Sequence, residues 1–315
     1  MPSHFHIVVP VWGEFYRQTL LDFLLPSLLA GGNLPSWPFS ESTRLRLFTS
    51  EEDALQIENS KVLDAIRSLC AVDMVIFELE DLKDWASKNF WFQDKYIYAH
   101  ILQTLAFQDA HKENCSVLPL MADMVLSNGL LAYLAHRIQA GLRLLVYPSP
   151  RVRFESFNQA SKPFRKSLSL EMDSQRLAQL ILKTLHPHEQ ACFLDAEEFT
   201  NWPSHFYVQS PQGVMAHCLH MHPLYMHQPT PPQMQEASTI DTDYLNQYLS
   251  CLDQAEVLQN HLGSACSVSN PHESESIHIG EPLDLTRKEI LMKFAKEASP
   301  LHLWQFKQGV LFKIP

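Results

Sequence analysis

Glycine is scarce in this 315-residue chain: there are nine, against a typical share near ~7%. Phosphate loops built from glycine have little material to draw on, and neither GxGxxG nor the Walker pattern GxxxxGK occurs anywhere. The six cysteines, Cys70, Cys115, Cys192, Cys218, Cys251 and Cys266, include no CxxC pair. That spacing argues against a disulfide framework or a cysteine zinc site and predicts a reduced, cytoplasmic chain. Cationic charge is short as well, with 24 Lys+Arg against 35 Asp+Glu and a net charge of −11. Holding a phosphate backbone takes clustered positive charge, so no nucleic-acid partner is expected. The most apolar long window, Thr19 to Ala30, is broken by Asp22 and Pro26 and is too short for a transmembrane segment. His4 and His6 lead straight into a strand-like run, without the basic stretch and apolar segment of a signal peptide.

What is present is ordinary globular material: 46% hydrophobic and 19% charged residues, enough apolar content for a sizeable core. The run His6 to Val11 reads as a strand and Tyr16 to Leu29 as a helix, stopped by Gly31-Gly32-Asn33-Leu34-Pro35. Leu45 to Thr49, Val72 to Leu79, Val117 to Leu120 and Leu142 to Tyr147 read as further strands. Helical patterns fall between them at Ser50 to Leu69, Gln93 to His111 and Asn128 to Ala140. Strands alternating with helices over about 150 residues predict an α/β fold with a mainly parallel sheet flanked by helices. Residues 1–150 form the ligand-binding half, 151–262 the acceptor-side half of the same domain, and 263–315 a mobile loop followed by a helix at Leu283 to Lys296 and a strand at Leu311 to Ile314. His217 to Pro232, rich in His and Pro, reads as an irregular loop, and Asp243 to Gln259 as a helix.

Ligands of parallel sheets bind beyond the carboxyl ends of the strands, which points to Pro10 to Tyr16, Thr49 to Asp53 (with Glu51) and Leu120 to Asn128. Pro10, Val11, Trp12 and Tyr16 could hold a planar base by stacking and exposed backbone groups; Trp12 could equally be packing at a strand end. Asp123 follows a hydrophobic strand, in position to ligate a divalent cation holding a diphosphate, to orient a hydroxyl, or simply to cap a turn. His217, His220, His222 and His227 offer an alternating histidine pattern suited to metal or phosphate contact, or to a solvated surface. A metallohydrolase built on those four is an alternative from another class. Arg143, Arg151, Arg153, Lys162, Arg165 and Lys166 form the one concentrated basic region, and guanidinium groups clamp phosphates. Asp241 and Asp243 precede a helix, as an N-cap with first-turn charge would.

Three blocks together carry a family likeness: Pro10-Val11-Trp12-Gly13 through Leu25 to Leu29 with Gly32 to Pro35; Pro119 to Gly129 with Gly141; and His217 to Pro223 followed by Thr239 to Tyr244. The sequence resembles a group of bacterial glycosyltransferase-like proteins with the GT-A, Rossmann-like nucleotide-diphospho-sugar transferase fold. The resemblance implies a hexosyltransferase-like glycosyltransferase whose partners are a nucleotide-sugar donor and a glycan or protein acceptor. It also implies Mn²⁺ or Mg²⁺ held by Asp123, with His220 or His222 as a further ligand. Asp241, Asp243 and Glu155 are then the candidate catalytic bases, and Pro10, Val11, Trp12, Tyr16, Glu51 and Arg151 the donor-binding residues. Val125 and Asn128 stand where such enzymes carry further acids, which opens the alternative of a catalytically degenerate binding or scaffold protein.

Overall fold

Phe5–Pro10 is buried at all six positions, as a strand covered on both faces by helices must be. In the computed structural model, which describes residues 4–89, 95–200, 205–232, 240, 243–271 and 286–313, this run is the first of fifteen strands among the described residues. They are β1 (Phe5–Pro10), β2 (Thr43–Thr49), β3 (Ala71–Ile76), β4 (Ser116–Pro119), β5 (Met124–Leu126), β6 (Leu144–Tyr147), β7 (Arg151–Arg153), β8 (Arg165–Lys166), β9 (Ser169–Leu170), β10 (His205–Ser210), β11 (Gly213–Cys218), β12 (His222–Met226), β13 (Ala255–Val257), β14 (Ala265–Ser269) and β15 (Val310–Lys313).

Seven of them form one sheet in the order β13-β6-β12-β4-β1-β2-β3. All run parallel except β12, which is antiparallel to both β4 and β6. The chain is thus an α/β protein with a mainly parallel sheet flanked by helices, as the alternating pattern predicts. From β1 the chain steps outward to β2 and β3, then returns to the other side of β1 as β4. The order 3-2-1-4 reverses between β1 and β4, and crevices open at such reversals beyond the carboxyl ends of the strands. Among the described residues, no helix is long and apolar enough to cross a membrane.

The elements depart from the sequence expectation where local chemistry competes with periodicity. Ser50 to Leu69 forms two helices, Glu51–Glu58 and Lys61–Arg67, because the Ser60 side chain accepts from Leu63 N and caps a new start. The first helix begins at Glu14–Thr19, widens into a π-helical turn at Leu20–Leu24 and ends at Leu25–Leu28. A helix at Leu79–Asn89, absent from the expectation, covers the region after β3. His217 to Pro232 is not an irregular loop: it supplies the end of β11 and all of β12, whose pairing with β6 shifts register between Pro223 and Tyr225, where a proline can be carried by a strand. Asp243–Gln254 is a 3₁₀ segment and Ala255–Val257 a strand, so the helix expected to Gln259 stops early.

The loop expected at 263–281 begins as β14, paired with β5 and β7; residues 272–281 lie outside the described set. The tail helix is Arg287–Glu297, opened by a capping box of Thr286 and Glu289. A second helix, Pro300–Gln308, leads to β15, which pairs with β11. Because β12 and β13 lie within the main sheet, residues 151–262 complete the layer that residues 1–150 begin.

Candidate functional site

Strand direction decides which sequence features share an edge. The carboxyl ends of β1, β4 and β6 and the beginning of the reversed β12 all lie on the same side of the sheet. In the order β12-β4-β1 these strands are neighbours, about 5 Å apart. Trp12 follows β1 and His222 opens β12, while Asp123 lies in the segment after β4, immediately before β5. A direct bond supports the placement: His222 Nε2 lies 2.6 Å from the carbonyl oxygen of Pro119, the last residue of β4.

The turn after β1 is held rigidly. Gly13 has φ +81°, a conformation glycine adopts without strain, and its N–H donates to Asp53 Oδ2 at 2.8 Å. Asp53 also accepts from Ser50 Oγ at 2.9 Å and pairs with the Arg17 guanidinium. The half-buried Trp12 ring meets Phe77, just past β3, edge-on at 6.2 Å and Tyr16 at 6.4 Å. Lys95, at the start of the helix Lys95–Lys112, donates to Tyr16 Oη at 2.9 Å, with its ammonium 5.6 Å from that ring's centroid. The pattern of residues alone gives no reason to single out Lys95 or Phe77, since only the fold brings Phe77 to Trp12 and Lys95 to Tyr16. Pro10 and Val11 are buried, and the Val11 N–H is taken by Phe48 O at 2.8 Å. Glu51 is exposed in the first turn after β2, on the same edge.

Asp123 is half-buried, and its backbone oxygen accepts from Val268 N at 2.8 Å. The two positions where further acids were expected are committed elsewhere. Val125 is wholly buried in β5, and Asn128 Oδ1 accepts from Gly32 N at 2.6 Å. A single carboxylate does not build a protein cage, but it fits a hydrated divalent cation that takes its remaining ligands from phosphate oxygens and water.

The four histidines are dispersed, which removes the basis for a shared metal centre. His217, on β11, has Nδ1 2.8 Å from Phe306 O. His220 packs its ring against His302 at 4.5 Å. His227 lies past the far end of β12, its Nδ1 3.2 Å from Ser116 Oγ at the start of β4.

The candidate bases separate likewise. Asp243 opens a segment whose Tyr244 hydroxyl bonds Thr230 O and whose ring lies 5.9 Å from Phe107. These Tyr244 contacts lie toward the edge where β4 begins. Asp241 lies outside the described residues. Glu155 is exposed in the first turn of Phe154–Ser161, and the neighbouring Phe154 ring packs 5.5 Å from Phe15, beside the Trp12 turn. Arg151 Nε lies 3.4 Å from Glu189 Oε1, and the Arg151 side chain is 40% exposed. Glu189 is 1% exposed and also accepts from Tyr207 Oη at 2.8 Å. Burial raises its carboxyl pKa, but the positive charges of His205 and Arg151 and the Tyr207 bond outweigh this and leave it below the usual glutamate range.

No family model and no curated protein matches the chain. Among solved structures it is similar to mouse xyloside xylosyltransferase 1 in its apo form, at 13% identity over 82% of this chain and 86% of that one, with a TM-score of 0.37. At that score and identity no residue role passes from one to the other.

Proposed function

We propose that the chain is a glycosyltransferase that moves a sugar from a nucleoside-diphosphate donor to a hydroxyl of a glycan or protein acceptor. The observation that supports this reading is the adjacency of β12, β4 and β1 in the sheet, with Trp12 following β1, Asp123 in the segment after β4 and His222 opening β12. In this reading the base lies against Trp12 and Tyr16, and the diphosphate extends toward Asp123. Asp123 would hold Mg²⁺ or Mn²⁺, which when bound neutralises charge on the departing diphosphate. Lys95, bonded to Tyr16 Oη, would add a positive charge as the bond from the sugar's anomeric carbon to the phosphate oxygen breaks. Glu155 takes the proton of the acceptor oxygen as that oxygen bonds the anomeric carbon.

Thermal unfolding with UDP, GDP, CMP and their sugars, with and without Mn²⁺, tests the reading. At least one diphosphate should stabilise the protein, by about 2.7 kcal/mol at a hundredfold excess over its dissociation constant, with the shift reduced in Asp123→Ala and Lys95→Ala. No shift with any nucleotide contradicts it. The degenerate-scaffold alternative is favoured by the burial of Val125 and the commitment of Asn128. It predicts nucleotide binding without sugar transfer or donor hydrolysis.

A further inference from the structure

The opposite edge of the sheet carries a side-chain cluster that the transferase reading does not use. His6 sits near the start of β1, and Glu113 and Cys115 flank Asn114 in the turn before β4, where Asn114 has φ +55°. One ligand atom from each of His6, Glu113 and Cys115 lies within 4.8 Å of the others. His6 Nε2 is 3.3 Å from Glu113 Oε2, with the His6 side chain 3% exposed and the Glu113 side chain 48% exposed. Cys115 is 1% exposed, and its Sγ lies 3.7 Å from the Glu113 carbonyl oxygen.

We propose that His6, Glu113 and Cys115 form a three-ligand site for a borderline-soft divalent cation, zinc above all, that ties the start of β1 to the turn before β4. Nitrogen, oxygen and sulfur donors together are the set zinc accepts, with three protein ligands leaving a fourth, tetrahedral position for water. Around a zinc ion with ligand bonds of about 2.0–2.3 Å, tetrahedral donors stand closer than the outer limit seen here. The His6 to Glu113 spacing already suits that geometry, and a modest turn of the Cys115 side chain and the exposed Glu113 side chain closes the rest.

Charge also balances. The Glu113 carboxylate and a Cys115 thiolate together offset the two positive charges of the ion, so the buried end of the cluster becomes neutral when filled. Arg44 and Arg46 lie near His6, but each is already paired: Arg44 Nε with Asp73 at 3.4 Å, and Arg46 NH1 with Asp109 at 3.1 Å. Filling the site forms a sulfur–zinc bond, breaks the S–H bond and releases one proton per ion to buffer. No spacing motif connects the donors, which explains why the scattered cysteines argue against a cysteine zinc site. The β1 backbone places the cluster about 13 Å from the crevice edge at ~3.3 Å per residue, so its role is structural and separate from the proposed transfer.

The test uses the full-length chain, purified without a histidine tag and stripped by chelator. Zn²⁺ is titrated calorimetrically in two buffers of different ionisation enthalpy, and Co²⁺ is followed by its thiolate charge-transfer absorption. The expected result is one equivalent bound with one proton released, a rise in Tm, and a cobalt–thiolate band that Cys115→Ser abolishes. The exposed Glu113→Gln, which leaves the core intact, should weaken binding about 10–100-fold, the loss seen even for outer-shell partners. Either absence of the band in the wild-type protein or zinc affinity unchanged in both Cys115→Ser and Glu113→Gln overturns the proposal. Nucleotide-induced stabilisation should be the same with and without zinc, so failure of the zinc site and failure of the transferase reading are read from different signals.

Discussion

At the scale of single residues, two positions leave almost no freedom. A Cβ at Gly32 would lie 2.7 Å from both the Cα and N of Gly129 and 2.8 Å from Asn128 Oδ1, and two of those atoms are backbone that cannot rotate away. Gly32→Ala should therefore destabilise the protein by about 1–3 kcal/mol in denaturant unfolding, as overpacking does. It should also disturb the loop that carries Asn128. Glu189 is the second: Arg151, His205 and Tyr207 surround a carboxylate with almost no solvent contact. Glu189→Gln should cost about 1–3 kcal/mol, because the Tyr207 and His205 groups around it lose a charged acceptor, while the Arg151 side chain keeps access to water. The sequence reading saw Arg151 as a phosphate clamp because basic residues cluster around it. It could not see Glu189, which reaches Arg151 only through the separate segment Pro187–Gln190.

At the scale of elements, one carboxylate links two of them. Asp53, in the helix after β2, fixes the Gly13 turn after β1 through the Gly13 N–H and Arg17. Asp53→Ala removes both bonds and part of the helix-start charge, so it should lower stability by about 1–3 kcal/mol and weaken nucleotide binding as the Trp12 turn loosens. A drop in stability with wild-type nucleotide affinity would show that the turn does not shape the site. This scale is also where the sequence was most and least legible. Strands such as Ile7 to Val9, a β-branched run buried on both faces, and Leu45 to Phe48, where Arg46 alone interrupts buried apolar residues, are marked directly by their hydrophobic pattern. β12 and β14 were misread because His, Pro and Ser suggest loops, while what makes them strands is pairing with partners distant in sequence.

At the scale of the whole molecule, titration ties the fold to pH. His227 has its pKa lowered by burial and by the charge of Arg143, so the unfolded chain takes up a proton there before the folded one does. Stability from this group is complete above the ordinary histidine value of 6.5 and falls as pH drops below it. Glu189, also lowered, adds stability that is present above the ordinary glutamate value of 4.5 and is lost as pH falls through its folded value. Unfolding free energy measured from pH 7.5 to 4 should therefore decline in two stages, and His227→Gln should flatten the first. The proposed function likewise depends on the whole sheet, whose strand order reverses between β1 and β4, with β12 beside β4.

The most direct measurement is a crystal structure of the full chain soaked with nucleoside diphosphate and Mn²⁺. The account predicts the base against Trp12 and Tyr16 and the diphosphate between Lys95 and Asp123. Nucleotide bound elsewhere on the molecule, with that crevice occupied only by protein side chains, contradicts it.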